Sequence, residues 1–146
     1  MHRFLITLTA SLFFPLSLAA QNMFAITVDE THDDMTFAVE SAILDMGLTI
    51  DFTSHTGEML ERTRMDVGSD VVLFDDATIF NFCSASVSRQ VIEANLNNIV
   101  FCPYAVFVYT LPGNPDQTIV GHQVYPGASM TPANELLDEI VRSATQ

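Results

Sequence analysis

Residues 80–104, "FNFCSASVSRQVIEANLNNIVFCPY", decide the fold, and they carry both cysteines of the chain in matching pairs, Phe82-Cys83 and Phe101-Cys102. "ATIFNFC" (77–83) alternates apolar and polar as a half-buried strand does. Ser84 or Ser86 can cap a helix running to about Asn95, after which "NLNN" turns the chain. "IVFCPYAVFVYTL" (99–111) is the most apolar run beyond residue 20. Phe101, Ala105, Phe107 and Leu111 fall on one of its faces, and Cys102, Val106 and Val108 on the other. Apolar side chains on both faces predict a central strand buried on two sides. Pro103 has no N–H for a ladder bond, so it belongs at the strand's beginning or at a bulge. A right-handed strand–helix–strand crossover would set Cys83 and Cys102 at opposite ends of the sheet. A path in which "NLNNIV" returns along the side of a short helix would instead bring them together.

Working outward, "MFAITV" (23–28) reads as a strand. From Thr31 to Met46, the residues Met35, Val39, Ala42, Ile43 and Met46 form one helical stripe. Thr31 stands at the cap position, Asp33 and Asp34 lie in the first turn, and Gly47 stands at the left-handed stop. "LTIDFTSHT" (48–56) is a second strand. "GEMLERTRM" (57–65) is a short helix with Glu58 and Arg62 at i, i+4. "PGNPD" (112–116) connects a hairpin to the returning strand "QTIVGHQVY" (117–125). Thr131-Pro132 opens a last helix packed through Leu136, Leu137, Ile140 and Val141. The order β-α-β-α-β-α-β-β-α predicts an α+β fold, a mixed five-stranded sheet packed against helices.

The first twenty residues, "MHRFLITLTASLFFPLSLAA", differ in kind from the rest. Arg3 precedes an apolar core from Phe4 to Leu16, and Ser17-Leu18-Ala19 gives a small-x-small cleavage pattern. This is the pattern of a secretory signal peptide over 1–20. The expectation is therefore a periplasmic or secreted single domain over 21–146, with no stable membrane span. Beyond residue 20 there is no lysine, and four arginines stand against 18 acidic residues, a formal charge of −14 with histidine neutral. Such a surface repels phosphate backbones, which excludes nucleic acid as an expected partner.

The segment from about Asp29 to Pro126 resembles the domain-of-unknown-function 302 family. The likeness rests on a first helix ending at Gly47 and a strand–loop–helix unit around "FNFCSASVSRQVIEA". An apolar-proline strand follows ("IVFCPYAVFVYTL"), with a hairpin return ending near Tyr125-Pro126. Where many members carry a Gly-Asn-Pro-like turn after the third strand, this chain has "FCSA" (82–85). The resemblance implies a compact α+β fold in an exported, cysteine-bearing branch, and it implies no reaction.

Three readings of Cys83 and Cys102 compete: a disulfide, a working thiol pair, or two small buried residues. An oxidising compartment and an even count favour a bridge. Cys83 stands just before a helix N-terminus, where the dipole lowers a thiol pKa, but there is no CxxC spacing. His32, His55 and His122 form no metal-ligating spacing with one another. "THDD" (31–34) reads as capping, and Met59, Met65 and Met130 as core filler. Neither a metal nor a cofactor is expected. No nucleophile elbow is present, and serines 84, 86 and 88 have no patterned histidine or acid. These observations favour a non-enzymatic ligand- or partner-binding accessory protein over a thiol-based redox or sulfur-transfer protein, with metal or haem binding third. The expected contacts to a small ligand or protein partner are Arg89, Tyr104 and His122 beside the cysteines. Arg89 also stands four residues before Glu93, the spacing of an ordinary helical ion pair.

Overall fold

The computed structural model describes residues 22–146, so the expected leader over 1–20 lies outside the described residues. Strand β1 is Met23–Val28, and helix α1 is His32–Asp45. Thr31 caps α1 by accepting from the Asp34 N–H at 3.2 Å, and Gly47 follows it at φ +72°, as the glycine stop requires. Strand β2 is Thr49–Ser54, helix α2 Thr56–Thr63, strand β3 Asp76–Cys83 and helix α3 Ala85–Ala94. Ser84 caps α3 through the Val87 N–H at 3.4 Å. Strand β4 is Tyr104–Thr110, β5 is Thr118–Gln123, and helix α4 is Thr131–Ala144 with Pro132 in its first turn. No described helix is long and apolar enough to cross a membrane.

The α+β architecture with five strands is as expected, in the order β1-β5-β4-β3-β2. The sheet is antiparallel throughout rather than mixed. The difference originates in the opening stretch. After α3 the chain winds through a 3-10 segment, Leu96–Phe101, and enters β4 over a cis Cys102-Pro103 bond. Asn98 holds that return in place. Its buried Nδ2 donates to the Val91 carbonyl at 2.7 Å and to Ser129 Oγ at 3.0 Å. The helix and the return segment cancel each other's advance, so β4 starts where β3 ends, with Phe82 opposite Tyr104. No crossover forms, and the cysteines meet at one end of the sheet.

Strand β4 is central, but its two faces are not equally buried. Tyr104, Val106, Val108 and Thr110 are buried, whereas Ala105, Phe107 and Tyr109 are only half-buried. The covered side is the core. Val39 and Ile43 of α1 with Leu137, Ile140 and Val141 of α4 join Phe80, Phe82, Val106, Val108 and Val120 in one apolar cluster. Each fully buried side chain of this kind contributes about 1.5–3 kcal/mol. At the end of α2 the ion pair that forms is Arg64, just past the helix, with Glu61 at 3.0 Å, in place of the expected Glu58–Arg62 pair.

Candidate functional site

Both Phe-Cys motifs converge on the rim where β3 ends and β4 begins. The inward-outward alternation along β3 buries Phe82 and leaves Cys83 exposed. Cys102 is partly buried against the core and donates from Sγ to Ser88 Oγ of α3 at 3.6 Å. Ser88 Oγ in turn donates to Tyr104 Oη at 3.3 Å. Tyr125 completes the wall, with its ring 4.9 Å from Phe101 and 6.0 Å from Tyr104. Across the rim, a bulge between Ile50 and Phe52 lifts Asp51 out of the β2–β3 ladder beside Cys83.

The electrostatics of the rim favour protonated groups. Desolvation pushes the Cys83 thiol above its ordinary pKa, and Cys102 and the Asp51 carboxylate push it further the same way. Burial raises Tyr104 against the opposing hydrogen bond from Ser88. Burial is also the main cause that pushes Tyr125 up to about 12. A nucleophilic thiol needs the reverse surroundings, a cation or an electropositive helix end that dominates. Here the α3 N-terminus is outweighed by an acid, a second thiol and apolar neighbours. Both cysteines are free thiols.

The expected ligand contacts do not gather at this rim. Tyr104 belongs to it but is 0% exposed, so it lies beneath the surface and cannot meet a partner directly. Arg89 sits on the exposed side of α3, paired with Glu93 as its spacing allows. His122 is also 0% exposed. Its Nε2 lies 2.7 Å from Asp138 Oδ1 on α4 and its Nδ1 lies 2.8 Å from the Gln123 carbonyl, so it serves as a tie between β5 and α4. Arg142 stacks 4.8 Å above Phe24, the ring beside that histidine.

His32 and His55 line a different feature, an open groove of about 450 Å³ between α1, β2, α2 and β3, together with Asp33, Glu40, Glu58 and Asp76. His32 Nδ1 lies 3.8 Å from Asp33, and its buried Nε2 has no partner. Among the described residues no group of three or more His, Cys, Asp or Glu side chains is placed to hold a metal ion.

No protein-family model matches the chain, and no curated protein matches it either. Among solved structures, "uncharacterized conserved protein DUF302 from Bacillus stearothermophilus" aligns with a TM-score of 0.61 and 20% identity. The match covers 86% of this chain and 94% of that one. The chain has the DUF302 fold. The fold leaves the chemistry of this rim to the chain's own residues. Of the residues gathered at this rim, the sequence singled out the two cysteines and Tyr104. It missed Ser88, Asp51 and Tyr125. Only Ser88 carried a signal, standing four residues after the cap Ser84 and hence above it on one helical face.

Proposed function

We propose that the protein is an exported, acidic, non-enzymatic binding or accessory domain on the DUF302 fold, and that it displays the Cys83–Cys102 rim to a small ligand or protein partner. One observation carries this reading: the exposed sulfur sits where its surroundings raise the thiol pKa. Near neutral pH Cys83 is a thiol, a weak hydrogen-bonding and apolar contact, rather than the thiolate that attack requires. Export is supported by the signal-like leader and by the acidic, lysine-free remainder. Mass analysis of the extracytoplasmic protein, with an N-terminus near residue 20 or 21, tests it.

A second reading, a thiol-based redox protein, is favoured by the closeness of the two cysteines: each bridged pair would release two protons and two electrons to an oxidant of the export compartment. The pH profile of alkylation separates the two. With iodoacetamide on the reduced protein, the binding reading expects Cys83 to react slowly at pH 7, with a midpoint above the ordinary thiol range of about 8.5. A midpoint near or below neutrality overturns it in favour of thiol chemistry.

A further inference from the structure

The middle of the sheet face opposite α1 and α4 is uncharged, and its one carboxylate, Asp51, stands at the corner beside Cys83. Three rows of outward residues cross its middle by the strand registers, and the Thr49–Cys83 row lies beyond them at the rim. The central row runs Ala25, Gly121, Phe107, Ile79, Ser54; on one side lie Thr27, Ile119, Tyr109 and Ala77. On the other side lie Met23, Gln123, Ala105, Asn81 and Phe52. None of these carries a charge, in a chain whose residues beyond 20 include 18 acids and four arginines. Met23 is 46% and Phe52 54% exposed. At the centre of the sheet, a Cβ at Gly121 would lie 2.6 Å from Phe107 Cζ and 2.8 Å from the Ala25 Cβ, so the tip of that ring reaches over the glycine. Phe74 extends the surface by packing edge-on to Tyr109 at 5.2 Å, and an apolar groove of about 280 Å³ runs between Phe74, Ile79, Phe107 and Tyr109.

We propose that this face is a homodimer interface, in which two copies pack sheet on sheet about a twofold axis. Charge selects the occupant. Two chains whose residues beyond 20 each carry a formal charge of −14 repel through most of their surface, and the middle of this face lets them meet with carboxylates only at the Asp51 corner. A basic partner would gain nothing from an uncharged face and would be drawn to the acidic surface instead. The size also suits a second copy. Five strands at about 4.8 Å spacing and six residues at about 3.3 Å rise give a footprint of roughly 24 by 20 Å. That plane of roughly 480 Å², enlarged by the relief of its side chains, is comparable to the roughly 800 Å² that one partner contributes to a standard interface. Aligned sheets pack about 10 Å apart, with side chains of the two faces interdigitating. Phe107, Ile79 and Tyr109 would supply the apolar centre, and Asn81, Gln123, Ser54 and Thr27 the polar margin.

Sedimentation equilibrium of the purified protein over a hundredfold range of concentration tests the proposal. The expected result is a dimer whose association constant does not fall, and instead rises, as salt screens the acidic surfaces. Ile79→Arg should weaken association at least tenfold. Ala25→Arg, on the exposed edge strand where folding is least at stake, should weaken it several-fold with the far-UV spectrum and cooperative melt retained. A native protein that stays monomeric throughout overturns the proposal. So does a dimer that Ala25→Arg and Ile79→Arg both leave intact, or one that salt dissociates.

Discussion

The two faces of one sheet have opposite characters, although the strands that form them alternate residue by residue. On the inner face, Val106, Val108, Phe80, Phe82 and Val120 lie under α1 and α4 and are at most 4% exposed. On the outer face, Phe107, Ile79 and Ile119 are equally apolar yet only half-buried. Hydrophobicity is thus shared, and what separates the faces is which one the helices cover. The sulfur rim lies where the faces join: Cys83 stands in the outward row of β3, and Cys102 is bonded to α3 on the covered side. A sheet face can be apolar without being core, and the covering elements decide which it is.

Removing bulk from the covered side should have the largest effect. Leu137→Ala leaves a cavity beneath α4, where the native side chain is 0% exposed, and should cost about 2–5 kcal/mol in urea unfolding. A loss comparable to that of a surface substitution would break the comparison. At alkaline pH the same side has a specific weakness. Tyr125, raised to about 12 in the folded chain, stays protonated there after it would ionise in the unfolded chain. Its contribution is present below about pH 10 and is lost as pH rises toward 12, about 3 kcal/mol for a shift of two units. Tyr125→Phe should therefore flatten the fall in melting temperature across that window, while the raised Cys83 and Tyr104 leave a smaller slope in the same direction. A smaller effect comes from the polar tie on the covered side. Asp138→Ala takes an acceptor from the fully buried His122 ring and should cost about 1–3 kcal/mol by chemical denaturation.

Most of the architecture could be read from periodicity and caps. The stripe on α1, the Ser84 cap, the Gly47 stop and the returning strand were all local patterns, and local patterns survive folding when packing agrees with them. The direction of β4 was not local. It depended on buried Asn98 joining the 3-10 return to Val91 and Ser129, a contact spanning 31 residues that no spacing rule reports. The same is true of the rim. Cys83 and Cys102 were visible as a pair, but their company of Ser88, Asp51 and Tyr125 arises from an antiparallel pairing and a bulge. His122 shows the converse. It was expected as a ligand contact, and the placement of α4 instead buries it and gives it a partner, Asp138.

Phe107 and Val108 are neighbours in sequence on opposite faces, so thermal melting of dilute Val108→Asp and Phe107→Asp proteins tests the division most directly. An unpaired carboxylate at Val108, 0% exposed under the helices, costs several kcal/mol and should abolish the cooperative transition. The same group at Phe107 meets water and should leave the transition cooperative, lowered by the lost packing on Tyr109, Gly121 and Ile79, about 1–2 kcal/mol. If both variants unfold alike, the outer face belongs to the folding core and is not a surface held free for association.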